Sequence, residues 1–502
     1  MSSSNFYLEI ARVVDASPDR IALDTGNGVT FTYGELDAEV ARYSNCLSDL
    51  GLQRGDRVAV QVNKCIPSLL VYLACLRAGF VYLPLNTAYR SAELDYFLRD
   101  AEPGLILVEL EQREAMERLS EASVEAAVMT LGEDESTSLA QRASSASDRF
   151  STATAKPDDL AVIIYTSGTT GRSKGAMVTH DNLVSNARAL TQEWQFTSDD
   201  VLLHALPIFH VHGLFVANHC ALTTGARLLW HDRFNAADVV RDIKRSTVLM
   251  GVPTFYTRLL GERALSRDAC SSMRLFISGS APLLAETHQQ FEQRTGHRIL
   301  ERYGMSEAGM ITSNPYRGER RAGAVGFPLA GVEVRLVDGA DKPVSAGDKG
   351  AIQIKGRNVF SGYWRMPEKT QEEFTADGWF RTGDLGVFDT DGYLSIVGRA
   401  KDLIITGGYN VYPKEIEQAI DELPQVMESA VIGVPHADFG EAVTAVVVAA
   451  AGAEIDEATA ISTLKTRLAG YKVPKRLHVV DALPRNAMGK VQKNMLRERF
   501  GQ

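Results

Sequence analysis

The sequence predicts an α/β fold, with a large N-terminal domain of layered α/β subdomains followed by a smaller α+β domain. Two observations support this prediction. Helical and strand patterns alternate along most of the chain up to Gly331, as they do in layered structures whose sheets are mainly parallel. The 502 residues also exceed what one core can hold, because single hydrophobic cores rarely grow beyond about 250–300 residues.

The elements before Gly331 are predicted from local signals. Thr32 and Glu35 have the spacing of a capping box at the start of a helix. Gly79 follows an apolar helical stretch, as glycine commonly does at a helix end. A segment rich in serine, threonine, alanine and aspartate is expected to be a surface connection. The predicted elements are helices at 33–50 and 66–79, strands at 57–62 and 160–165, and the surface connection at 133–158.

The chain after Gly331 predicts more strands and then a small α+β unit. The change of pattern after Gly398 puts the boundary near Arg399–Lys401. We therefore predict an N-terminal domain at 1–398, a hinge at 399–401 and a C-terminal domain at 402–502. The expected elements are strands at 332–337, 350–355, 392–397, 428–434 and 442–450, helices at 413–422 and 457–468, and a basic helix that ends the segment 483–502.

Composition narrows the class of protein. The 53 basic and 63 acidic side chains leave a formal charge of -10, whereas proteins that hold nucleic acid by its phosphates usually carry a basic face. Five scattered cysteines without a CxxC pair favour a reducing compartment. The first residues lack the order of a signal peptide, and the apolar stretches are too short to span a bilayer. We predict a cytoplasmic protein with no nucleic-acid or membrane partner.

The segment 165–175, Tyr-Thr-Ser-Gly-Thr-Thr-Gly-Arg-Ser-Lys-Gly, directly follows a predicted buried strand. Glycines let the backbone curl with its N–H groups inward, hydroxyls add donors, and the lysine adds charge, which together suit a polyphosphate. The segment is not a GxxxxGK[ST] loop, because the glycine–lysine pair is missing at the required spacing. The predicted phosphate-binding residues are Thr166, Ser167, Gly168, Thr169, Thr170 and Lys174.

This segment resembles the phosphate-binding signature of the adenylate-forming superfamily, which includes acyl-CoA synthetases, nonribosomal-peptide adenylation domains and luciferases. Five further segments resemble motifs of that family and occur in the family's order, at 76–85, 303–307, 380–384, 398–402 and 484–490. The resemblance implies that ATP activates a carboxylic acid as an acyl-adenylate, whose acyl group then passes to a thiol. The implied cofactors are ATP, Mg²⁺ and coenzyme A.

The resemblance also implies roles around the nucleotide. Glu307 is a hard oxygen ligand suited to Mg²⁺ on the ATP phosphates. Tyr303 offers an aromatic face near adenine, and the Ser306 hydroxyl is expected to contact a phosphate. The implied nucleotide contacts are Tyr303, Gly304, Met305 and Ser306, with Asp384 and Arg399 at the ribose hydroxyls.

A mobile C-terminal domain is a further implication. Lys401 occupies the family's hinge position. In one pose Lys490 would enter the active site, where its ammonium stabilises negative charge between the carboxylate and the α-phosphate. In the other pose Gly407 and Gly408 would line the channel for the CoA arm. A lysine acetyltransferase and a deacetylase are possible partners, because acylation of Lys490 removes its charge.

The acid itself is suggested by segment 207–215, Pro-Ile-Phe-His-Val-His-Gly-Leu-Phe, which resembles the family's acyl-pocket motif. If Arg302 and Arg233 both face the pocket, their guanidiniums could pair with a second carboxylate. The alternative is that both form structural ion pairs, for instance with Glu301 or Asp232. The segments 207–215 and 301–307 and the Arg233–Phe234 pair most resemble malonyl-CoA synthetases, which implies malonate or methylmalonate, with His210 or His212 and Ser278 near the acyl group.

We therefore predict an ATP-dependent acid–CoA ligase that converts malonate, or methylmalonate, to its CoA thioester and releases AMP and pyrophosphate. Two enzymatic alternatives stay open: a ligase for short-chain, medium-chain or aryl monocarboxylates, and an adenylating enzyme that loads a carrier protein. A third, a non-catalytic nucleotide-binding protein, is disfavoured because a degenerate copy would be expected to lose Glu307 or Lys490. The expected small-molecule partners are the dicarboxylic acid, ATP and CoA.

Overall fold

A computed structural model describes residues 3–134, 137–166, 173–406, 409–436, 440–468, 470–486 and 489–501. The chain divides into two compact units, Met1–Glu333 with Ile354–Phe380, and Val334–Gln353 with Arg381–Gln502. The predicted α/β class is confirmed. In this division strand residues before Arg399 group with the C-terminal part of the chain, and the hinge at 399–401 stays a prediction.

The first unit contains most of the helices and two sheets. Its helices are α1 (Tyr7–Ala16), α2 (Tyr33–Asp49), α3 (Ile66–Ala78), α4 (Ser91–Ala101), α5 (Arg113–Ser123), α6 (Ser138–Ser144), α7 (His180–Glu193), α8 (Asn218–Leu222), α9 (Ala236–Ile243), α10 (Pro253–Gly261), α11 (Ala285–Thr295) and α12 (Pro367–Glu373), with a 3-10 turn at Leu110–Gln112 and a π-helix at His212–Ala217. Its strands are β1 (Ile21–Asp24), β2 (Thr30–Thr32), β3 (Arg57–Gln61), β4 (Val81–Pro84), β5 (Leu105–Val108), β6 (Ala127–Thr130), β7 (Leu160–Thr166), β8 (Lys174–Thr179), β9 (Val201–His204), β10 (Arg227–Trp230), β11 (Val248–Gly251), β12 (Leu275–Ser278), β13 (Leu300–Met305), β14 (Gly309–Ser313) and β15 (Phe327–Pro328).

Both sheets are parallel at the centre, with one antiparallel edge in the six-stranded sheet and two in the nine-stranded sheet. The six-stranded sheet has the order β6-β5-β3-β4-β7-β8, in which only the last pair is antiparallel. The nine-stranded sheet has the order β15-β14-β13-β12-β11-β9-β10-β1-β2 and is parallel from β13 to β1. Sheets of this kind are buried on both faces, so their carboxyl-end edges are the open surfaces for ligands.

Local sequence signals explain where several helices begin and end. The capping box at α2 is confirmed: Glu35 N donates to Thr32 Oγ1, and Thr32 N donates to the Glu35 carboxylate at 2.7 Å. Gly79 ends α3 with φ 81°, a left-handed conformation that glycine adopts at little cost.

The surface connection predicted at 133–158 is wrong in part. Residues Ser138–Ser144 form helix α6 there, and Leu139 and Ala143 on one side of it are buried. The segment is rich in serine and alanine, and the apolar face of this helix has only two residues, so its sequence resembles that of a loop. Tertiary packing overrides weak local propensity in such short helices.

The remaining strands form two further sheets. The predicted strand at 392–397 starts two residues later, because Gly392 takes φ 86° in the turn before it. One sheet has the order β16-β17-β18-β19, and the other has the order β21-β20-β23-β22 with β24 beside β23. No helix among the described residues is long and apolar enough to cross a membrane. The elements are β16 (Val332–Val337), β17 (Lys349–Gly356), β18 (Phe380–Phe388), β19 (Leu394–Arg399), β20 (Ile404–Thr406), β21 (Tyr409–Val411), β22 (Val426–His436), β23 (Gly440–Ala449) and β24 (Arg476–Val479), with helices α13 (Pro413–Asp421), α14 (Glu457–Lys465) and α15 (Lys493–Phe500) and a 3-10 turn at Ala400–Asp402.

Candidate active site

Several site residues of the first unit lie where parallel strands of the nine-stranded sheet end. Ser278 is the last residue of β12 and pairs in register with Glu301 of β13. Beyond that pair, β13 continues antiparallel to β14 and carries Arg302 and the nucleotide motif that starts at Tyr303. Because ligands of open α/β sheets bind outside the carboxyl ends of the strands, these residues stand at the expected edge.

Glu307 is a buried carboxylate near the end of β7. Its Oε1 accepts hydrogen bonds from Tyr363 OH at 3.2 Å and from Thr166 Oγ1 at 3.4 Å. The structure therefore brings Glu307 and Thr166 together and adds Tyr363, which the sequence did not single out. The residues after Thr166 that are predicted to bind phosphate, Ser167, Gly168, Thr169 and Thr170, lie outside the described residues.

Lys174, the first residue of β8, lies beside the same tyrosine. Its Nζ is 4.2 Å from the centre of the Tyr363 ring and 3.5 Å from Glu373 Oε1. Only 8% of Lys174 is exposed, so the aromatic face and the carboxylate replace much of the ammonium's hydration. Tyr363 thus contacts both the predicted metal ligand and the predicted phosphate-binding lysine.

The donor chemistry around Glu307 fits a magnesium ion that arrives with a nucleotide. Mg²⁺ prefers oxygen ligands and is usually held by one or two carboxylates together with phosphate oxygens and water. Glu307 supplies the carboxylate, and the Thr166 hydroxyl is beside it. No cluster of three or more His, Cys, Asp or Glu side chains within the described ranges could hold a metal by itself.

Arg302 is the most unusual charge in the first unit. It is 4% exposed, and its Nε and Nη2 have no hydrogen-bond partner among the described residues. Gly279 makes room for it, since a Cβ atom at that position would lie 2.3 Å from Arg302 Cζ. Burial lowers the pKa of Arg302 to about 9. None of the ion pairs found among described residues includes Arg302, so the guanidinium lacks the carboxylate that a structural role would provide.

His212 opens the π-helix His212–Ala217 next to this arginine. Its Nδ1 is 3.4 Å from Ser280 Oγ, and its buried Nε2 has no partner among the residues described. Burial first, and then the charge of Arg302, lower the pKa of His212 well below its usual value, so the imidazole is neutral at pH 7. Ser280 has φ 70°, which is strained for a residue with a side chain.

Ser278 completes a group of unsatisfied polar atoms. Its buried Oγ also lacks a hydrogen-bond partner in the described part of the chain, and it directly precedes Gly279, on which Arg302 packs. Buried polar atoms are nearly always hydrogen-bonded in native proteins. Three such side chains in one place, Ser278, His212 and Arg302, therefore indicate a site for a polar, anionic ligand.

The other two residues predicted at the acyl site, Arg233 and His210, make fewer contacts with this group. Arg233 is exposed after β10, and no contact found among the described residues joins it to Arg302. His210 Nδ1 accepts a hydrogen bond from the backbone N–H of His212 at 3.3 Å. The structure thus brings His210, His212, Ser278 and Arg302 to one region, while no contact among the described residues joins Arg233 to them.

The nucleotide motif at 303–306 forms the end of β13 and the turn after it. Tyr303 pairs in register with Thr312 of β14, and Tyr303 through Ser306 are all partly exposed. Gly304 must be glycine, because a Cβ there would lie 2.3 Å from the carbonyl oxygen of Gly309. This edge is therefore open enough to receive a ligand.

In the second unit, the two residues predicted to hold the ribose hydroxyls, Asp384 and Arg399, lie next to each other. They are in register on the antiparallel strands β18 and β19, and Arg399 Nε lies 3.0 Å from Asp384 Oδ1. Asp384 is buried while about 40% of the Arg399 side chain is exposed. Lys401 lies in the following 3-10 turn; burial, countered by Asp402 and reinforced by Arg399, lowers its pKa.

Lys490 is exposed, and its backbone forms two hydrogen bonds with Asn486. Its N–H donates to Asn486 Oδ1 at 3.0 Å, and its carbonyl accepts from Asn486 N at 2.9 Å. Arg485 Nη1 donates to the Gly489 carbonyl at 2.5 Å and Arg485 also pairs with Glu428. The predicted CoA-channel residues Gly407 and Gly408 lie outside the described residues.

Two mainly parallel sheets carry Lys174, the buried carboxylate of Glu307 and the guanidinium of Arg302. This arrangement is typical of an α/β enzyme that binds anionic substrates. The chain belongs to the family of AMP-binding enzymes. The model of that family matches residues 10–364, and the model of the AMP-binding enzyme C-terminal domain matches residues 415–490.

Relatives and solved structures resemble the whole chain. It is 37% identical to the malonate–CoA ligase of Arabidopsis thaliana, over 96% of this chain and 86% of that protein. It is also 37% identical to a feruloyl-CoA synthase of an Amycolatopsis species, over 97% of both chains. The crystal structure of ATP-bound MatB from Rhodopseudomonas palustris superposes with a TM-score of 0.97 at 54% identity, over 100% of this chain and 99% of that one.

Proposed function

We propose that this protein is an ATP-dependent acid–CoA ligase that activates malonate as malonyl-AMP and transfers the malonyl group to coenzyme A, releasing pyrophosphate and AMP. The single observation that carries the choice of acid is Arg302, a buried guanidinium without a carboxylate partner among the described residues. Family membership supports the ligase chemistry, and the likeness to a malonate–CoA ligase supports the acid.

The pocket favours a dianionic acid for an electrostatic reason. A buried charge without a partner costs several kcal/mol, and a carboxylate that pairs with Arg302 recovers that cost when the acid binds. A monocarboxylate must present its only carboxylate to the reacting phosphate, so it leaves Arg302 unpaired. Because the feruloyl-CoA synthase is as similar in sequence as the malonate–CoA ligase, overall identity does not distinguish the two acids, and the pocket around Arg302 does.

His212 and Ser278 would contribute hydrogen bonds rather than charge. The neutral imidazole of His212 and the hydroxyl of Ser278 both have unsatisfied buried atoms next to Arg302. Both can bond to carboxylate oxygens of malonate without adding a second desolvated cation. His210 and Arg233 are proposed to act at the rim of the same pocket.

The nucleotide is proposed to bind between the end of β7 in the six-stranded sheet and the end of β13 in the nine-stranded sheet, where Thr166 and Glu307 meet. Lys174 and Thr166 would contact the phosphates, Tyr303 the adenine, and Ser306 a phosphate oxygen. Glu307 would hold Mg²⁺, which when bound would supply positive charge to the phosphates. The other proposed contacts are Ser167, Gly168, Thr169, Thr170, Gly304 and Met305, with Asp384 and Arg399 at the ribose hydroxyls.

In the first step negative charge develops on the attacking carboxylate and on the α-phosphate, and a cation near both groups would stabilise it. A carboxylate oxygen of malonate attacks the α-phosphorus, and the bond to pyrophosphate breaks. Lys490 is proposed to stabilise the charge on the attacking carboxylate and the α-phosphate. In the second step the CoA thiolate attacks the acyl carbonyl and AMP leaves, with Lys401 at the proposed hinge and Gly407 and Gly408 beside the CoA arm.

Acetylation of Lys490 is proposed to switch off the first step. The exposed position of Lys490 makes it accessible to a modifying enzyme, and acetylation removes the charge that adenylation requires. Enzyme acetylated at Lys490 should lose malonate-dependent pyrophosphate release and regain it on deacetylation. Full activity of the acetylated enzyme would contradict this regulation and leave the ligase proposal intact.

Pyrophosphate release measured over a panel of acids, with and without CoA, tests the proposed function. The panel should include malonate, methylmalonate, succinate, acetate, butyrate and ferulate. We expect malonate to give the highest kcat/KM, and CoA to be required for repeated turnover. A preference for ferulate or butyrate would refute the choice of acid, whereas turnover with a carrier protein but not with CoA would refute the ligase assignment.

A further inference from the structure

Lys64 is a buried ammonium that the proposed mechanism does not use. It lies between β3 and α3 and is 8% exposed. Its Nζ is 2.9 Å from His204 Nδ1, 2.7 Å from the carbonyl oxygen of His204 and 2.8 Å from the carbonyl oxygen of His231. The same atom lies 4.0 Å from the centre of the Trp230 ring. These contacts join Lys64 to His204, the last residue of β9, and to His231, the residue after β10.

The hydrogen bonds around His204 fix which atom carries the proton. His204 Nε2 is 3.0 Å from the carbonyl oxygen of Gly213. A carbonyl oxygen can only accept, so Nε2 must donate. In a neutral imidazole Nδ1 is then the acceptor, and Lys64 donates to it. An ammonium has three N–H groups, and the three acceptors around Lys64 use all of them.

This chain of bonds leads from Lys64 to the acid pocket. Gly213 is the second residue of the π-helix that begins with His212. The turn is tightly packed at this point, because a Cβ at Gly213 would lie 2.1 Å from the carbonyl oxygen of Pro207. A bond that holds the Gly213 carbonyl therefore also restricts the neighbouring His212, whose Nε2 is one of the unsatisfied atoms beside Arg302.

We propose that Lys64 is a positioning residue for the acid pocket: its ammonium orients His204, and His204 holds the Gly213 carbonyl and with it the His212 side chain. This proposal rests on the proposed function, because it assumes that His212 contacts the acid. It predicts that losing the bond to Gly213 weakens acid binding most, that losing the bond from Lys64 weakens it less, and that ATP binding changes little.

Two substitutions at His204 separate this role from a merely structural one. His204→Gln puts an amide N–H near the position of Nε2 and keeps the bond to Gly213, but gives up the bond to Lys64. His204→Asn puts an amide oxygen near the position of Nδ1 and keeps the bond from Lys64, but gives up the bond to Gly213. Each variant loses one buried hydrogen bond, so their costs in stability should be similar.

The KM values for malonate and for ATP are the readout, with the thermal midpoint of each variant measured alongside. We expect His204→Asn to raise the malonate KM about 10-fold, which corresponds to the loss of roughly one hydrogen bond. His204→Gln should raise it about 3-fold or less, and the ATP KM should stay within about 2-fold for both variants. Lys64→Met should raise the malonate KM as His204→Gln does, because both variants lose the bond between Lys64 and the side chain at position 204 and keep the bond to Gly213.

The outcomes are distinct from those that test the function. Equal malonate KM values in the two His204 variants, or a rise in both KM values together, would overturn the positioning role. If Lys64→Met does not fold, the His204 pair still decides. Failure of the proposed function would appear in the unmodified enzyme, as pyrophosphate release that does not depend on malonate.

Discussion

Replacing Arg302 with methionine should make the free protein more stable and the enzyme worse with malonate. The side chain is 4% exposed and two of its nitrogen atoms have no partner among the described residues. Methionine fills a similar volume without a charge to desolvate. These opposite signs distinguish an arginine kept for a ligand from one kept for the fold.

The magnitudes follow from the burial of the charge. Exchanging a poorly compensated buried charge for an apolar side chain stabilises proteins by about 1–4 kcal/mol. Removing one partner of a buried ion pair weakens binding by about 2–5 kcal/mol, and 2 kcal/mol corresponds to about 30-fold in affinity. We therefore expect the malonate KM to rise at least about 30-fold in Arg302→Met, with little change for acetate or butyrate.

Arg274 provides a matched control. It is also largely buried, but its Nε and Nη2 pair with the two oxygens of Asp200 at 2.6 and 2.7 Å. Arg274→Met should therefore lower the thermal midpoint and leave the ratio of malonate to butyrate activity unchanged. Both variants are compared by calorimetry without ligand and by pyrophosphate release with each acid. If Arg302→Met is destabilised like Arg274→Met and loses all acids equally, Arg302 is structural and the argument for malonate is wrong.

Three further predictions test other parts of the account. Lys490→Ala should lower malonate-dependent adenylation by at least about 10²-fold but spare thioester formation from synthetic malonyl-AMP; equal loss in both steps would make Lys490 structural. Glu307→Gln should raise the Mg²⁺ concentration for half-maximal ATP–pyrophosphate exchange by roughly 10-fold, because an amide is a weaker ligand than a carboxylate for this ion; an unchanged requirement, with ATP binding measured separately, would remove Glu307 as the ligand. Asp421 is half-buried, its buried Oδ1 is unpaired among the described residues, and burial raises its pKa from 3.8 to about 6, so the folded state holds this proton more tightly and stability falls as pH rises through that window. Asp421→Asn should therefore be more stable at pH 7.5 by about 1–3 kcal/mol and lose that pH dependence, which denaturant unfolding at pH 4.5 and 7.5 measures.

Local sequence signals predicted the features that depend on neighbouring residues. The capping box at Thr32 and the glycine after α3 are determined within a few positions of the chain. Glu307 was singled out because its motif is contiguous. For Arg302 the sequence left two possibilities open, a pocket and a structural ion pair, and its lack of an ion pair among the described residues favours the pocket.

Features that depend on tertiary packing were missed. Tyr363 contacts Glu307 from 56 residues away, and nothing in its local sequence indicates that its hydroxyl and ring face two different charges. Lys64 carries no local signal of burial, because its three acceptors belong to His204 and His231, far along the chain. Arg233 stays a prediction, because it is exposed after β10 and no contact among the described residues joins it to Arg302.

The central claim is that the buried guanidinium of Arg302 recognises a second carboxylate of the acid. Malonate and its monomethyl ester differ in that second charge and little else, so their ATP–pyrophosphate exchange rates with the unmodified enzyme test the claim directly. We predict a kcat/KM for malonate at least about 30-fold above that for monomethyl malonate. Equal values for the two acids would contradict it.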